Sequence, residues 1–167
     1  MIEYEYSIKA TSITPFIDYC KSNGYKLVSV SNENRLVYEN ANNKNIISRL
    51  TISQKNGKDT VLFDFKNKST GNNTFKIAEE SLPLELTKDQ INIAKSILNV
   101  LEFKEVADNL RTRYVYEKDS IKFEIDEYTR PQMNIIGIEG QKDIVDEVYN
   151  TLVKCEDISK YIIKVEQ

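Results

Sequence analysis

Charged residues recur at every second position along several segments of the chain, so acids and bases could stand side by side. The polar positions of these segments are Glu3, Glu5, Ser7 and Lys9; Arg49 and Thr51; Asp64, Lys66 and Lys68; Thr74, Lys76 and Glu80; Arg111 and Arg113; Lys122, Glu124 and Asp126; and Gly137 and Glu139. Successive side chains of a β-strand point to opposite faces, so each set would share one face. Carboxylates bind hard divalent cations, whereas guanidinium and ammonium groups bind phosphate oxygens. Together these residue types could bind a metal ion and a phosphorylated ligand.

Two architectures explain this alternation. An antiparallel sheet with one face on a core and the other in water has the same pattern, and alternation alone favours it. A closed sheet with its helices packed outside would instead place the charges in a lumen. The polar faces mix acids with bases and hold few of the Ser, Thr and Gln residues that dilute a solvated face. That composition favours the lumen, but alternation by itself does not decide between the two.

The residue types that are rare or missing exclude several kinds of chemistry. The chain has no histidine, which excludes serine and cysteine nucleophiles activated by histidine and argues against a zinc site. Cys20 and Cys155 are far apart in apolar, helix-like surroundings, which is typical of small buried residues in a reducing compartment. Catalysis would therefore depend on carboxylates, lysine, arginine and tyrosine, with a hard metal such as Mg²⁺ or Mn²⁺.

The composition is that of a soluble globular protein. The 167 residues, 40% hydrophobic and 29% charged, predict a single domain over residues 1–167. No segment approaches the roughly 18 apolar residues of a membrane span. The acidic, alternating start differs from a signal peptide, so we expect a cytoplasmic protein with no membrane partner. The net charge of −3 is too small to argue for or against a polyanionic partner.

Three helices and about eight strands are predicted. Thr14 as the capping residue and Pro15 at the first helical position begin the first helix, which ends at Asn23-Gly24. A capping box at residues 87–90 opens the second, and the third follows Gly140 with Ile144, Val148 and Leu152 on one face. Hairpin turns are predicted at Asn56-Gly57, Gly71-Asn72-Asn73 and Glu117-Lys118-Asp119. Hairpins imply antiparallel pairing, so the predicted class is α+β with one strongly curved sheet or barrel.

Short charged motifs follow one another along the chain in a recognisable order. They are Glu3-Tyr4-Glu5, Arg49, Asp64-Phe65-Lys66, Arg111-Thr112-Arg113, Asp126 and Glu139-Gly140. This order resembles the CYTH superfamily, or triphosphate tunnel metalloenzymes, over nearly the whole chain. That family includes class IV adenylyl cyclases, thiamine triphosphatases and inorganic triphosphatases. Ser7, Ile47 and Gly137 stand where the family has charged residues.

The resemblance implies a single eight-stranded antiparallel β-barrel with flanking helices, whose interior is a triphosphate tunnel. It assigns catalysis to Glu3, Glu5 and Lys9; phosphate binding to Arg49, Lys66, Lys68, Lys76, Arg111, Arg113 and Lys122; and metal binding to Glu3, Glu5, Asp126 and Glu139. The expected cofactor is Mg²⁺ or Mn²⁺, bound by carboxylate oxygens and water. Arginine forks suit the phosphate oxygens of a triphosphate.

Three functions remain open from the sequence. One is metal-dependent hydrolysis of tripolyphosphate or of a nucleoside or thiamine triphosphate. The second is a class IV type adenylyl cyclase that makes cyclic AMP and pyrophosphate, and the third is a catalytically inactive module that binds a nucleotide or phosphate. The expected partner is thus a small-molecule triphosphate, and a homodimer is left open. Nucleic acid is not an expected partner, because no basic cluster forms an approach surface.

Overall fold

The computed structural model describes the backbone of residues 2–55, 57–71 and 74–163, and the side chains of these residues except 2, 3 and 69–71. This part of the chain contains nine strands and four helices. In order they are β1 (Ile2–Ala10), α1 (Thr14–Ser22), β2 (Lys26–Asn40), β3 (Ile46–Lys55), β4 (Lys58–Gly71), β5 (Phe75–Glu80), β6 (Leu84–Leu86), α2 (Ile91–Val100, preceded by a 3-10 turn at Lys88–Gln90), β7 (Phe103–Lys118), β8 (Ile121–Arg130), β9 (Gln132–Gly140), α3 (Lys142–Lys154) and α4 (Glu156–Ser159).

Eight of the strands close into an antiparallel barrel. Neighbouring strands follow the order β3-β2-β7-β8-β9-β1-β5-β4, and the pairing of β4 with β3 completes the ring. The short β6 pairs with β4 beside the ring. The structure thereby confirms the α+β barrel with flanking helices.

The helices pack on the outside of the barrel, and both hydrophobic cores lie there. One core joins the outer faces of β1, β8 and β9 to α1, α3 and α4, with Phe16, Phe123 and Ile136 at its centre. The other joins β2, β3 and β4 to α2 around Leu50 and Leu98. Because the apolar faces of the strands point outward into these cores, the polar faces point into the barrel. The protein is therefore a closed barrel with a polar interior, and not a sheet whose polar face lies in water.

The predicted turns and helices lie close to their observed positions. Lys55 pairs with Lys58 across the first hairpin, and Lys118 pairs with Ile121 across the turn that contains Asp119. Asn56, Asn72 and Asn73, on which two of the turn predictions fall, lie outside the described residues. The capping box that was predicted at residues 87–90 is present.

Two details of the helix predictions are wrong. Thr14 is the first residue of α1, and Ile13 takes the capping position without a side-chain hydrogen bond. In α3, Leu152 is fully buried and Val148 packs against the core as predicted, whereas Ile144 is 38% exposed and the neighbouring Val145 is fully buried instead. No helix in the described ranges is long and apolar enough to cross a membrane.

Candidate functional site

A cavity of about 1270 Å³ is lined by the inward faces of the barrel strands and extends past the barrel to α3 and the segment after α4, where Tyr149, Val153 and Ile162 line it. Most of the predicted site residues line it: Glu5, Lys9, Arg49, Lys66, Lys68, Lys76, Arg111, Arg113 and Asp126. Lys122 and Glu139 pair with each other between β8 and β9, on the same side of these strands as Asp126. Glu3 lies in β1 opposite Ala78, and its side chain is outside the described residues. The structure therefore brings together the charges of all eight strands.

One wall of the cavity is held by a network of ion pairs from β3, β4, β5 and β1. Arg49 donates two hydrogen bonds to Asp64, at 2.7 and 2.9 Å, and lies 3.2 Å from Glu80. Lys66 approaches Glu80 at 2.9 Å and Glu5 at 3.6 Å. Burial by itself raises the pKa of Glu80, but Arg49 and Lys66 outweigh it and lower the pKa to about 2. The charges in this wall are largely balanced.

The opposite wall contains a second network, from β2, β7, β8 and β9. Arg111 donates to Glu33 at 2.6 and 2.9 Å and to Asp126 at 3.0 Å. Arg113 donates two bonds to Asp126, at 2.7 and 2.8 Å, and also pairs with Glu124. Asp126 thus accepts from two arginines at once.

Lys122 extends this second network toward β9. It pairs with Glu124 at 3.1 Å and with Glu139. Burial raises the pKa of Glu124, but the opposing effect of Arg113 and Lys122 is larger and lowers it to about 2. Glu124 is therefore anionic at neutral pH, and Lys122 lies between it and Glu139.

Arg35 of β2 differs from the arginines of both networks. Its Nε donates to the Thr51 hydroxyl at 3.2 Å, and within the described part of the chain it forms no ion pair. Burial and the positive charges of Arg111, Arg113 and Arg49 lower its pKa to about 10, against a smaller opposing effect of Glu33. Burial is the largest of these causes, and the three neighbouring arginines add like-charge repulsion.

Three lysines add to this positive charge. Lys9, Lys68 and Lys76 line the cavity from β1, β4 and β5, and none forms an ion pair with another described residue. Lys9 and Lys68 are exposed and Lys76 is half-buried. They would meet an anion that enters the cavity from solvent.

Carboxylates gather where β1, β9 and β8 adjoin. Glu5 and Glu139 are direct partners across β1 and β9. Gly137 leaves room beside them, because a Cβ on it would lie 3.5 Å from Glu5 Oε1 and 3.6 Å from Glu124 Cβ. Among the described residues no three acidic or cysteine side chains stand close enough to hold a metal ion. A Mg²⁺ ion nevertheless binds with one or two carboxylates when water and substrate phosphates complete its shell.

Sequence reasoning missed two residues of β2: Arg35, which lines the cavity, and Glu33, which pairs with Arg111. They share the inward face of β2 with Val37, so the same period-two rule applied to residues 26–40 would have found them. Ile47, where the resemblance leads one to expect a charge, lines the cavity beside Arg49. Arg35 faces Thr51 across β2 and β3, two positions from Arg49, and supplies a guanidinium nearby.

Comparison with known proteins connects the chain to others through its fold. No protein-family model and no curated protein sequence matches the chain. Among solved structures, the PH1012 protein of Pyrococcus horikoshii is 14% identical, with a TM-score of 0.73 over 98% of this chain and 96% of that chain. The PH1819 protein of the same organism is 18% identical, with a TM-score of 0.67 over 97% and 94%.

A third solved structure has a described activity. HpAC1 from Hippeastrum, a candidate adenylyl cyclase with a dominant triphosphatase activity, is 14% identical, with a TM-score of 0.65 over 93% of this chain and 88% of that chain. Identities this low establish a shared fold and leave the activity to be argued from the site itself.

Proposed function

We propose that the chain is a divergent CYTH protein that binds a triphosphate group in the barrel cavity and hydrolyses it with Mg²⁺ or Mn²⁺. The observation that carries the proposal is Arg35, a partly buried guanidinium among three other arginines. A triphosphate would lower this like-charge repulsion, and its several negative charges match Arg35 together with Lys9, Lys68 and Lys76. Guanidinium forks bind phosphate oxygens in pairs, which favours phosphate over a single carboxylate.

The paired carboxylates suit a metal that the ligand helps to bind. Glu5 and Glu139 would hold the ion, with Glu3, two residues before Glu5 in the sequence, as a further candidate, and Asp126 would join only after releasing Arg111 and Arg113. A bound divalent cation would neutralise charge on the phosphates and orient a water for attack. Lys122 must leave Glu139 for that carboxylate to act, so metal and triphosphate are expected to bind together.

A non-catalytic binding module is the second candidate. Within the described residues no three carboxylates near Gly137 are close enough together to hold a metal ion. Asp126 is already bound by two arginines. A site with this arrangement could bind triphosphate and still not align a metal-bound water. Only turnover distinguishes the hydrolase from the binding module, because both would bind the triphosphate through the same cationic side chains.

Phosphorus NMR of the protein with ATP or tripolyphosphate and either metal tests the proposal. Orthophosphate that depends on protein and metal supports the hydrolase, whereas cyclic AMP with pyrophosphate would replace it with the cyclase. Arg35→Ala should lower kcat/KM by about 10²-fold or more, as loss of a charged contact to phosphate does. The matched control is Arg130→Ala, since Arg130 is an exposed arginine that pairs with Asp108 outside the cavity. Binding without turnover would select the module, and absence of both would refute the triphosphate site.

A further inference from the structure

The inward-facing side chains of the barrel lie at successive depths, counted from the end where β1 ends and β9 begins, here called the mouth. They are every second residue of a strand, and the tilt of the strands staggers them between neighbours. On β2 they are Val37, Arg35 and Glu33 in order from the mouth. The other strands of the ring have equivalent positions, so the side chains at each depth form a ring around the barrel axis.

The cavity stops at the third of these rings. On β2, β3, β4, β5 and β8 the first and second inward residues line the cavity, and the third does not. Arg113 of β7 is the one described residue of the third ring that does line it. The third ring is here called the floor, and its described side chains are Glu33, Thr51, Asp64, Glu80, Arg113, Glu124 and Glu139.

Ion pairs hold the floor in place. Glu33 accepts a hydrogen bond of 2.6 Å from Arg111, and Asp64 accepts one of 2.7 Å from Arg49. On the side away from the mouth, the Ser31 hydroxyl donates to Glu33 at 3.0 Å. The carboxylate side chains of the floor are only 10% to 22% exposed, which is too little for side chains beside an open passage.

The charge of the rings changes sign between the mouth and the floor. The first ring contributes cations and, among its described residues, no acid: Lys9, Lys68 and Lys76. The second ring mixes cations with acids: Arg35, Arg49, Lys66 and Arg111 with Glu5 and Asp126. In the described part of the floor every charged residue but Arg113 is a carboxylate. A chain of phosphates is therefore attracted to the mouth and the second ring and is repelled by the floor.

We infer that the barrel is a blind cavity, which a phosphate chain enters end-first at the mouth and cannot pass through. The substrate class would then be phosphate chains that present a free end, such as tripolyphosphate and triphosphates esterified at one end. The internal phosphates of a long polyphosphate would not be bound. This inference rests on the proposed function, since it assumes that phosphates occupy the cavity.

Isothermal titration calorimetry without metal tests the inference through stoichiometry. The ligands are tripolyphosphate and two preparations of linear polyphosphate that differ in average length. We expect one protein molecule at each end of a long chain, so the number bound per chain should be the same for both lengths. A passage open at both ends would also accept internal phosphates, and the number bound would then increase with length.

Two variants compare the mouth with the opposite end of the barrel. Asn109 lies in the first ring, and Thr60 lies on β4 two inward positions beyond Asp64. Both are half-buried, and neither side chain forms a hydrogen bond with another described residue. Asn109→Trp should weaken tripolyphosphate and long chains by about tenfold or more, whereas Thr60→Trp should leave both affinities within about twofold. Lys68→Met replaces Asn109→Trp if that variant does not fold, and the wild-type stoichiometry needs no variant.

The outcomes separate the blind cavity from the proposed function. Binding in proportion to chain length overturns the blind cavity and keeps the triphosphate site. Weakening of long chains but not of tripolyphosphate by Thr60→Trp does the same, and so does a failure of long chains to bind where tripolyphosphate binds. If tripolyphosphate does not bind, the proposed function fails and the blind cavity fails with it.

Discussion

Arg35 stands between the two ion-pair networks of the cavity and is paired in neither. Among the described residues, the only hydrogen-bond partner of Arg35 is Thr51, whose hydroxyl accepts a bond from the Arg35 Nε. The positive charges of Arg49, Arg111 and Arg113 repel the Arg35 guanidinium. Paired arginines stabilise a folded state, because their carboxylate partners would otherwise be buried without compensation. An unpaired arginine among like charges has the opposite effect, and it is retained where an anion completes the site.

Replacing Arg35 by Met should raise the stability of the ligand-free protein and weaken its binding of triphosphate. The folded-state pKa of about 10 is below the ordinary value of 12.5, so the cost is fully present below pH 10 and disappears only above pH 12.5. At pH 7 the melting temperature should rise, by about 2 to 4 °C for each kcal/mol that is relieved. Differential scanning calorimetry measures this shift.

Arg49→Met provides the matched comparison at the same level of the barrel. It removes the partner of Asp64 and Glu80, so it should lower the melting temperature. A fall in stability for Arg35→Met that equals the fall for Arg49→Met would contradict the account of Arg35 as an unpaired cation.

At the scale of single strands, the position of most charges follows from sequence. Alternation has a period of two in any strand, so the inward face of β1, β4 or β8 can be assigned without knowledge of its neighbours. The same alternation over Lys26–Asn40 places Arg35 and Glu33 on one face of β2. The assignment of Ile144 to the buried face of α3 failed because Val145, one position along, packs into the core beside Val148 and Leu152.

Closure of the barrel could not be derived from these local patterns. It requires β1 to pair with both β5 and β9, and β2 with β7, which are contacts between residues far apart in sequence. Hairpin turns specify only neighbouring pairs such as β3 with β4. The family resemblance, which rests on the order of the charged motifs, predicted the closed barrel that alternation left open. The pairing of Asp126 with two arginines, in contrast, follows from the predicted hairpin between β7 and β8, because Arg113 and Asp126 are direct partners across it.

Helix α3 is attached to β1 through Tyr6 on the outside of the barrel. The Tyr6 hydroxyl donates to Asp146 at 2.8 Å, and its ring stacks on Tyr149 with centroids 4.0 Å apart. Burial, followed by the hydrogen bond to Asp146, raises the pKa of Tyr6 to about 12. This contact thus holds the helix only while the hydroxyl keeps its proton.

The contact predicts a loss of stability at alkaline pH. Because the pKa of Tyr6 is higher in the folded state than the ordinary value of 10, its contribution is complete below pH 10 and is lost as pH rises toward 12. Tyr6→Phe should lower the free energy of unfolding by about 0.5 to 1.5 kcal/mol at pH 8, with a smaller further loss between pH 8 and 11 than in the wild type. Urea unfolding at several pH values measures both quantities.

Tyr161→Phe is the control for this experiment, since the Tyr161 hydroxyl forms no hydrogen bond with the described residues. Burial raises the pKa of Tyr25 and of Cys20 to about 12 as well, so some alkaline loss will remain in every variant. Parallel pH curves for the wild type and Tyr6→Phe would show that Tyr6 does not couple α3 to pH.

At the scale of the whole molecule, the hydrophobic cores that stabilise the barrel are separate from its charged interior. Its hydrophobic cores lie outside, under the helices, and they stabilise the fold without using the interior. The interior therefore holds charged side chains, and its net charge depends on the ligand that is bound. A ligand that supplies the missing negative charge should stabilise the entire barrel, because every strand of the ring faces the cavity.

Tripolyphosphate should raise the melting temperature of the whole protein more than pyrophosphate does, and orthophosphate should raise it least. At a hundred times Kd the linkage amounts to about 2.7 kcal/mol, or roughly 5 to 10 °C for a chain of this size. Mg²⁺ alone should have little effect, because Lys66 lies near Glu5 and Lys122 pairs with Glu139. Mg²⁺ added with tripolyphosphate should increase the shift, and Glu5→Gln should remove that increase. Sodium sulfate at matched ionic strength is the control, and a shift as large as that of tripolyphosphate would mean that the cavity responds to anions in general.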